Sequence, residues 1–162
     1  MDLTLLKMQQ RIEANTQILS LNLQNAILSP LLSYDQICLA NTAGLYLIFD
    51  ESDILYVGKT NRTGKIRIKE LTSDFRSHTF NKKMLSKRFK DLGFVFKVLK
   101  NETKQKWINE GLLSDTEFKA HQKEVNQNMA NFKFKFFQEV DERALICLEH
   151  FAIAILNPIY ND

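Results

Sequence analysis

Residues 44–58 read GLYLIFDESDILYVG, two short apolar runs separated by the acidic break DESD at positions 50–53. Apolar, β-branched and aromatic residues on both sides of a polar turn predict a β-hairpin. A four-residue turn places Tyr46 and Tyr56 on neighbouring strands, so that both phenols can lie at one end of one sheet face. One glycine stands beside each tyrosine and allows another backbone or a ligand to come close. Taken alone, the pattern also fits a core hairpin with half-buried tyrosines.

The size and composition of the chain are those of one globular domain. It has 162 residues, of which 44% are hydrophobic and 25% are charged. The two cysteines, Cys38 and Cys147, lack CxxC spacing and there are no paired histidines, which argues against a disulfide framework or a zinc site. No apolar run is long enough to span a membrane, and the first ten residues lack the order of a signal peptide. We therefore expect a soluble cytoplasmic protein with no membrane partner.

Positive charge is concentrated in the middle of the chain, although the net charge is only +3. Residues 59–106 contain fifteen Lys or Arg and four acidic residues, a balance of +11. A solvated helical face can have such a charge without any function. A segment this one-sided, which starts one residue after the hairpin, is also typical of a surface that binds a polyanion.

The N-terminal segment, residues 3–28, has the spacing of a helix whose apolar stripe includes Leu5, Met8, Ile12 and Leu23. A Ser-Pro pair follows and should end it. Such a helix can pack over the core of its own domain. Alternatively, it can pair with a second protomer or lie along a DNA groove.

The remaining patterns predict an α+β fold. Helical spacing covers residues 33–39, 65–71, 81–92, about 102–110, about 115–128 and 144–156. Apolar or alternating runs predict strands at 94–99 (FVFKVL) and 131–140 (NFKFKFFQEV). We expect a small, mainly antiparallel three-stranded sheet, formed by the hairpin and the C-terminal strand and flanked by helices. The side chains of helix 81–92 that should face the core are Met84, Leu85, Phe89 and Leu92.

Glu149 is an unusual residue for the last helix, which is apolar almost all round and should be buried. A carboxylate there needs a partner, a metal ion or a shifted pKa, because burial of an unpaired charge is costly. A structural salt bridge to Arg67 or Arg143 is one solution, and a functional site is the other.

These residues together resemble the signature of the GIY-YIG nuclease superfamily. Gly44-Leu45-Tyr46 stands where the family has its first triplet, and Tyr56-Val57-Gly58 where it has the second. Arg67 corresponds to the family's arginine on the helix after the hairpin, with one extra residue in the connecting loop. Glu149 and Asn161 match the closing pattern of a helical glutamate and an asparagine about twelve positions later.

The resemblance covers residues 43–92 and 132–162. It implies a nuclease domain at 41–162, preceded by an N-terminal helical extension at 1–40. The domain would be interrupted by a helical insertion at about 93–131.

The resemblance also implies a role for each residue of the signature. Tyr46 would activate the attacking water, with Tyr56 hydrogen-bonded nearby. Arg67 would neutralise the scissile phosphate, which suits its bidentate fork. Glu149 would be the sole protein ligand of one Mg²⁺ or Mn²⁺, with water and phosphate completing the shell. Asn161 would hold the site together by hydrogen bonds.

One position departs from the family pattern. The family commonly has Tyr or His one helical turn after the arginine, where this chain has Leu71. His78, in the following loop, is the nearest candidate to fill that catalytic role, or it contacts substrate instead. The basic residues that we expect to contact DNA are Lys59, Arg62, Lys65, Arg76, Lys82 and Lys83.

The sequence thus predicts a metal-dependent endonuclease that hydrolyses DNA, a stand-alone enzyme of restriction or phage type. Cutting both strands with one site per chain generally calls for two protomers, so the prediction includes a homodimer. The first alternative is a non-catalytic nucleic-acid-binding module on the same fold, with an affinity that falls steeply with salt. The second is a structural domain whose basic helices face solvent, which leaves Glu149 unexplained.

Overall fold

A computed structural model describes residues 3–161, and within them the fold is α+β, as the sequence predicts. The strands are β1 (Gly44–Asp50), β2 (Asp53–Thr60) and β3 (Lys133–Gln138). The helices are α1 (Leu3–Leu28), α2 (Tyr34–Ile37), α3 (Gly64–Leu71), α4 (Thr79–Asp91), α5 (Asn101–Asn109), α6 (Asp115–Ala130) and α7 (Glu142–Leu156). The strands form one antiparallel sheet in the order β2-β1-β3, so the hairpin and the C-terminal strand make the sheet together.

The hairpin turn is tighter than predicted. Strand pairing runs from Gly44 with Thr60 to Asp50 with Asp53, which leaves a two-residue turn at Glu51-Ser52 instead of four residues. Glu51 has φ of 50°, in the left-handed region that such two-residue turns use. The two aspartates therefore belong to the strand ends.

Both edges of the sheet are covered by other parts of the chain. Along the β2 edge, the backbone N–H of Tyr160 donates to the carbonyl of Leu55 at 2.9 Å, at a position where a bulge interrupts the strand. Along the β3 edge, Leu32 and Phe134 exchange two backbone hydrogen bonds of 2.7 and 2.9 Å. Each edge is thus paired at a few positions by another segment of the chain.

The two faces of the sheet pack against different helices, because alternate residues of a strand point to opposite sides. On one face, the side chains packed against α3, α4 and α6 include Tyr46, Ile48, Tyr56 and Phe134. On the other face, the side chains packed against α1 and α7 are Leu45, Leu47 and Val57. The tyrosines therefore face the helices that contain the basic segment.

The strand predicted at 94–99 is wrong, because these residues form an irregular segment. The rings of Phe94 and Phe96 pack against Trp107 in α5, with centroid distances of 4.6 and 5.2 Å. Leu99 is fully buried. The apolar run is used for packing within the insertion, and both edges of the sheet are already covered.

Two helical segments are less buried than predicted. Leu92, expected to face the core, follows the end of α4 and is exposed. Helix α7 has exposed positions at Cys147 and Ile155, so its apolar character does not reflect complete burial.

Helix α1 covers the core with its C-terminal half only. It ends at Leu28, as the Ser-Pro pair predicts, and buries Leu23 and Ala26. Its stripe continues toward the N-terminus as Leu5, Met8 and Ile12, which are 60%, 55% and 64% exposed. The prediction that the helix packs over its own domain holds for one half of its length.

No helix in the part of the chain that the structure describes is long and apolar enough to cross a membrane. Cys38 and Cys147 are both free thiols.

Candidate active site

The hairpin brings the two tyrosines together. Tyr46 pairs with Gly58 and Ile48 with Tyr56, so both phenols lie on one face at diagonal positions, with ring centroids 6.3 Å apart. The Tyr46 ring lies across Gly58: a Cβ atom at Gly58 would be 2.4 Å from the phenol oxygen and 2.5 Å from the ring carbon that bears it. Only glycine leaves room for Tyr46 at this point of the strand.

The Tyr46 hydroxyl is buried and surrounded by polar groups. Its side chain has no exposed surface. The phenol oxygen lies 2.9 Å from Nε2 of His78 and accepts a longer hydrogen bond of 3.4 Å from Nε of Arg67. Two hydrogen-bonding groups therefore converge on one phenol oxygen.

The hydrogen bonds of His78 determine which of its ring nitrogens bears the proton. His78 is the N-cap of α4, and its Nδ1 accepts from the backbone N–H of Phe80 at 3.1 Å. Burial, together with the positive charge of Arg67, lowers the pKa of His78 to about 3, so the ring is neutral at pH 7. The single proton is then on Nε2, and His78 donates to the Tyr46 oxygen.

Arg67 is held by α3 and by the loop that precedes α4. Its Nη1 donates to Oε2 of Glu70 at 3.0 Å and to the carbonyl of Ser77 at 3.2 Å. Glu70 also accepts two hydrogen bonds, of 2.8 and 2.9 Å, from Arg62. Burial raises the pKa of Glu70, but the hydrogen bonds from Arg67 and Arg62 outweigh it and leave the pKa below its usual value.

Glu149 projects from α7 and is only partly buried, with 18% of its side chain exposed, which corrects the expectation of a buried carboxylate. The nearest cation is the Lys59 ammonium, whose Nζ lies 4.0 Å from Oε2. Burial raises the pKa of Glu149, and Lys59 opposes this rise only in part. The carboxylate is open to solvent on one side and only loosely paired.

Glu149 belongs electrostatically to the same site as the tyrosines. Burial is the main reason why the pKa values of Tyr46 and Tyr56 are raised, and the charge of Glu149 raises both further. The charge of Arg67 acts in the opposite direction on both phenols and on the Glu149 carboxyl. The four side chains are therefore close enough to influence one another's protonation.

Asn161 is fixed to the edge of β2. Its Oδ1 accepts from the backbone N–H of Val57 at 2.7 Å, and its Nδ2 donates to the Val57 carbonyl at 2.6 Å. Val57 lies between Tyr56 and Gly58, so the amide pairs with the backbone between the second tyrosine and its glycine. Asn161 contributes to the site by holding this strand.

The basic residues expected to contact DNA lie on several elements around the site. Lys65 is exposed on α3, and Arg62, at the end of the loop before it, is half exposed. Arg76 is paired with Asp74 in its own loop, at 2.7 Å. Lys82 and Lys83 lie in the first two turns of α4 and line a surface groove.

Sequence reasoning missed two residues that shape the site. Glu70 binds both Arg62 and Arg67, and its position three residues after Arg67 on a helix was a usable signal. Thr79, at the start of α4, forms a side-chain hydrogen bond with Tyr56. Nothing in the local sequence around Thr79 indicates that contact, because it depends on how α4 packs on the sheet.

The donor groups fit a hard divalent cation held by one carboxylate. Within residues 3–161, no three His, Cys, Asp or Glu side chains form a cluster that could enclose a metal ion. Glu149 offers a partly exposed, loosely paired carboxylate, and Mg²⁺ commonly uses one or two carboxylates and completes its shell with water and phosphate.

Comparisons with known protein families, with curated proteins and with solved structures found no match to this chain. The resemblance to the GIY-YIG signature stays a prediction from its residues.

Proposed function

We propose that this protein is a GIY-YIG-type, metal-dependent endonuclease that hydrolyses phosphodiester bonds of DNA in the cytoplasm, a stand-alone nuclease of restriction or phage type. The observation that supports it best is the polar environment of the Tyr46 phenol: His78 and Arg67 are within hydrogen-bond distance of its oxygen, and the charge of Glu149 acts on its pKa. Hydrolysis of a phosphodiester needs an activated water, neutralised phosphoryl oxygens and a protonated leaving oxygen.

Tyr46 is the proposed general base. Its oxygen accepts hydrogen bonds from His78 and Arg67, and both donors stabilise the phenolate more than the phenol. Burial opposes ionisation and raises the pKa of Tyr46, so the base becomes effective only where further positive charge reaches the site. His78 cannot be the base, because its pKa of about 3 makes it a very weak proton acceptor and its Nδ1 lone pair is already engaged by Phe80.

Arg67 is the proposed phosphate ligand. It lies against Tyr46 and binds Glu70 and the Ser77 carbonyl, which leave part of its fork at the surface. A phosphate that replaces the carboxylate partner would gain a planar, charge-assisted contact. Glu70 thus orients the guanidinium before substrate binds.

Glu149 is the residue that would hold Mg²⁺ or Mn²⁺. When bound, such an ion supplies charge neutralisation at the phosphate and lowers the pKa of bound water. The Glu149 carboxylate must be ionised to bind a cation, and its raised pKa places that requirement at a higher pH than for an ordinary glutamate.

The test is cleavage of supercoiled plasmid with Mg²⁺ or Mn²⁺ by the wild type and by Tyr46→Phe, Arg67→Ala and Glu149→Gln. We expect each of the three variants to cleave at least about 100-fold more slowly than the wild type. Matched controls outside the site are Tyr34→Phe, Arg143→Ala and Glu124→Gln, which should cut at the wild-type rate. Equal rates for all seven proteins would reject the assignment.

A second candidate, a non-catalytic nucleic-acid-binding module, is favoured by one observation: Tyr46 has no exposed surface, so it must be uncovered before it can meet a water. This alternative predicts binding of DNA without cleavage under any metal. Plasmid that stays supercoiled in Mg²⁺ and in Mn²⁺, with intact binding, would select it.

We further propose a homodimer formed through α1. The exposed stripe Leu5, Met8 and Ile12 continues the buried stripe of the same helix, and the projecting part, about sixteen residues, is about 24 Å long. An antiparallel pair centred on Ile12 places Arg11 against Glu13 of the partner subunit. This self-complementary pattern favours a second copy, which would supply the second active site.

A further inference from the structure

A groove of about 620 Å³ lies between α4 and the irregular residues 96–98. Five lysines line it: Lys82, Lys83, Lys87, Lys90 and Lys97. Phe96, Val98 and Tyr160 provide apolar lining beside them. We call this surface the lysine groove.

The lysine groove exists because residues 94–99 do not join the sheet. Phe96 packs with its ring edge toward Trp107, at 5.2 Å between centroids, and the Lys90 ammonium lies 5.6 Å from the Phe96 ring centroid. Leu99 is buried in the core just beyond. Packing of Phe96 and Leu99 therefore holds residues 96–98, which form the wall of the groove opposite α4.

The charge of the lysine groove is strongly positive. Asp91 is the one acidic residue among the described residues that line it, and its carboxylate is 2.7 Å from Lys87. That pair is exposed on both sides, at 55% and 58%, so it is weak and easily exchanged for another anion. The lining has five cations and one anion, a net charge of +4.

The lysine groove begins at the candidate active site. Thr79, which forms a hydrogen bond with Tyr56, is part of its lining and directly follows His78. Tyr160, at the other side, precedes Asn161 and packs edge-on against Phe80 at 5.7 Å. The lysine groove and the candidate active site are thus neighbours, joined through Thr79.

We propose that the lysine groove binds the sugar-phosphate backbone of the nucleic-acid strand on one side of the cleaved bond. This inference rests on the proposed function, since it assumes that the polymer is nucleic acid. Lys83, Lys87 and Lys90 follow one another along α4 at about one-turn intervals and span about 10 Å, the axial rise of about three nucleotides. Ammonium groups on flexible stems suit phosphates of any sequence, so this contact positions the substrate and does not read bases.

The experiment measures binding of a fluorescein-labelled 20-base-pair DNA by anisotropy, in EDTA and in the Glu149→Gln background, from 50 to 200 mM NaCl. The groove variant is Lys87→Gln/Lys90→Gln/Lys97→Gln. The control with the same charge change is Lys119→Gln/Lys123→Gln/Lys133→Gln, on α6 and β3 outside the groove. Circular dichroism checks that both fold, as expected for surface lysines.

We expect the groove variant to bind at least about tenfold more weakly at 100 mM NaCl and to lower the slope of log K against log[NaCl] by between 2 and 3, at about 0.9 per lost phosphate contact. The control should change the slope by less than about 0.5. Equal losses in the two variants would overturn the proposal, because they would reflect net charge alone.

Two further arms separate this proposal from its alternatives. Polyglutamate that displaces the DNA from the groove at equal charge concentration would assign the groove to an acidic protein and overturn the proposal. Binding is measured without metal and without Glu149, so it does not depend on cleavage. If the groove variant binds DNA more weakly but the wild type never cuts plasmid, the groove proposal stands and the proposed nuclease function is rejected.

Discussion

At the scale of single residues, the chemistry depends on the environment of one phenol. Tyr46 is buried, which favours the protonated phenol. It also lies beside an arginine and a neutral histidine that both donate to its oxygen. The two effects act in opposite directions on the phenolate, and the raised pKa says that burial is the larger of them. If Tyr46 is the general base, as we propose, it should ionise only when more positive charge is brought to the site.

The first prediction follows from that balance. If the Tyr46 phenolate is the base, single-turnover cleavage should rise with pH between about 6 and 9 by up to tenfold per unit, because the ionised fraction rises in that proportion below the pKa. The raised pKa of Glu149 acts in the same direction at the acid end. Rates measured in excess enzyme at fixed metal would test it, and a flat profile would exclude Tyr46 as the base.

His78 makes a prediction about stability. Its pKa is about 3 in the folded chain and about 6.5 when unfolded, so between these values the unfolded state binds one proton more. Stability from this residue is therefore present above pH 6.5 and falls by about 1.4 kcal/mol per unit as pH decreases below it. The free energy of unfolding is measured with urea at several pH values between 6 and 4.5. It should fall more steeply with decreasing pH in the wild type than in His78→Asn, which keeps an N-cap. Parallel slopes would contradict the buried, neutral ring.

Gly58 makes a prediction about packing. In Gly58→Ala the new methyl group would meet the Tyr46 ring at 2.4 to 2.5 Å, so the strand or the ring must shift, at a cost of about 1–3 kcal/mol. Denaturant unfolding measures the loss. In a Tyr46→Ala background the same change should cost clearly less, and an unchanged cost would show that the contact is not the cause.

At the scale of elements, helix α1 combines two environments in one apolar stripe. Leu23 and Ala26 are buried against the body, whereas Leu5, Met8 and Ile12 extend past it. The stripe needs a second surface for its N-terminal half, and the self-complementary sequence around Ile12 offers one.

Ile12→Glu should therefore convert a dimer into a monomer, because two carboxylates would face each other at the centre of the antiparallel pair. Sedimentation velocity between about 1 and 100 µM measures the change, with Gln17→Glu, another exposed position of α1, as the control of equal charge. A wild type that is monomeric throughout this range would remove α1 pairing from consideration.

Sequence patterns were sufficient to predict an element where its hydrophobic periodicity and its local breakers define it. The hairpin, the strand of alternating phenylalanines and the ends of α1 and α7 follow from local spacing and from breakers such as Pro30 and Pro158. The run at 94–99 misled because a short apolar segment suits a strand and a packed loop equally well. In the structure Phe94 and Phe96 pack against Trp107 of α5, a contact that no pattern within residues 94–99 indicates.

In the candidate site, too, local patterns predict some features, whereas others depend on contacts between distant residues. The positions of Tyr46 and Tyr56 on one face follow from strand alternation, but the contact between His78 and Tyr46 spans 32 residues and depends on how α4 packs. The partial exposure of Glu149 likewise depends on which part of α7 the sheet leaves open. No local pattern contains that information.

At the scale of the whole molecule, residues 93–131, which the sequence predicts to be an insertion, are part of the main core. Phe89 of α4 packs against Trp107 of α5 at 5.1 Å and against Phe118 of α6 at 5.2 Å, and these rings belong to one buried cluster with Tyr46. The insertion thus forms one wall of the domain that contains the tyrosines.

Trp107, the only tryptophan, therefore reports on the whole domain. Its fluorescence and the far-ultraviolet circular dichroism should give coincident urea transitions, because the insertion and the sheet lose the same core together. Two resolved transitions would mean that the insertion unfolds on its own.

The pairing of Leu32 along β3 and of the chain end along β2 has a consequence for how copies of this protein can meet. These contacts shorten the run of unpaired amides and carbonyls along each edge, so the sheet offers less template for a β-ladder with another copy.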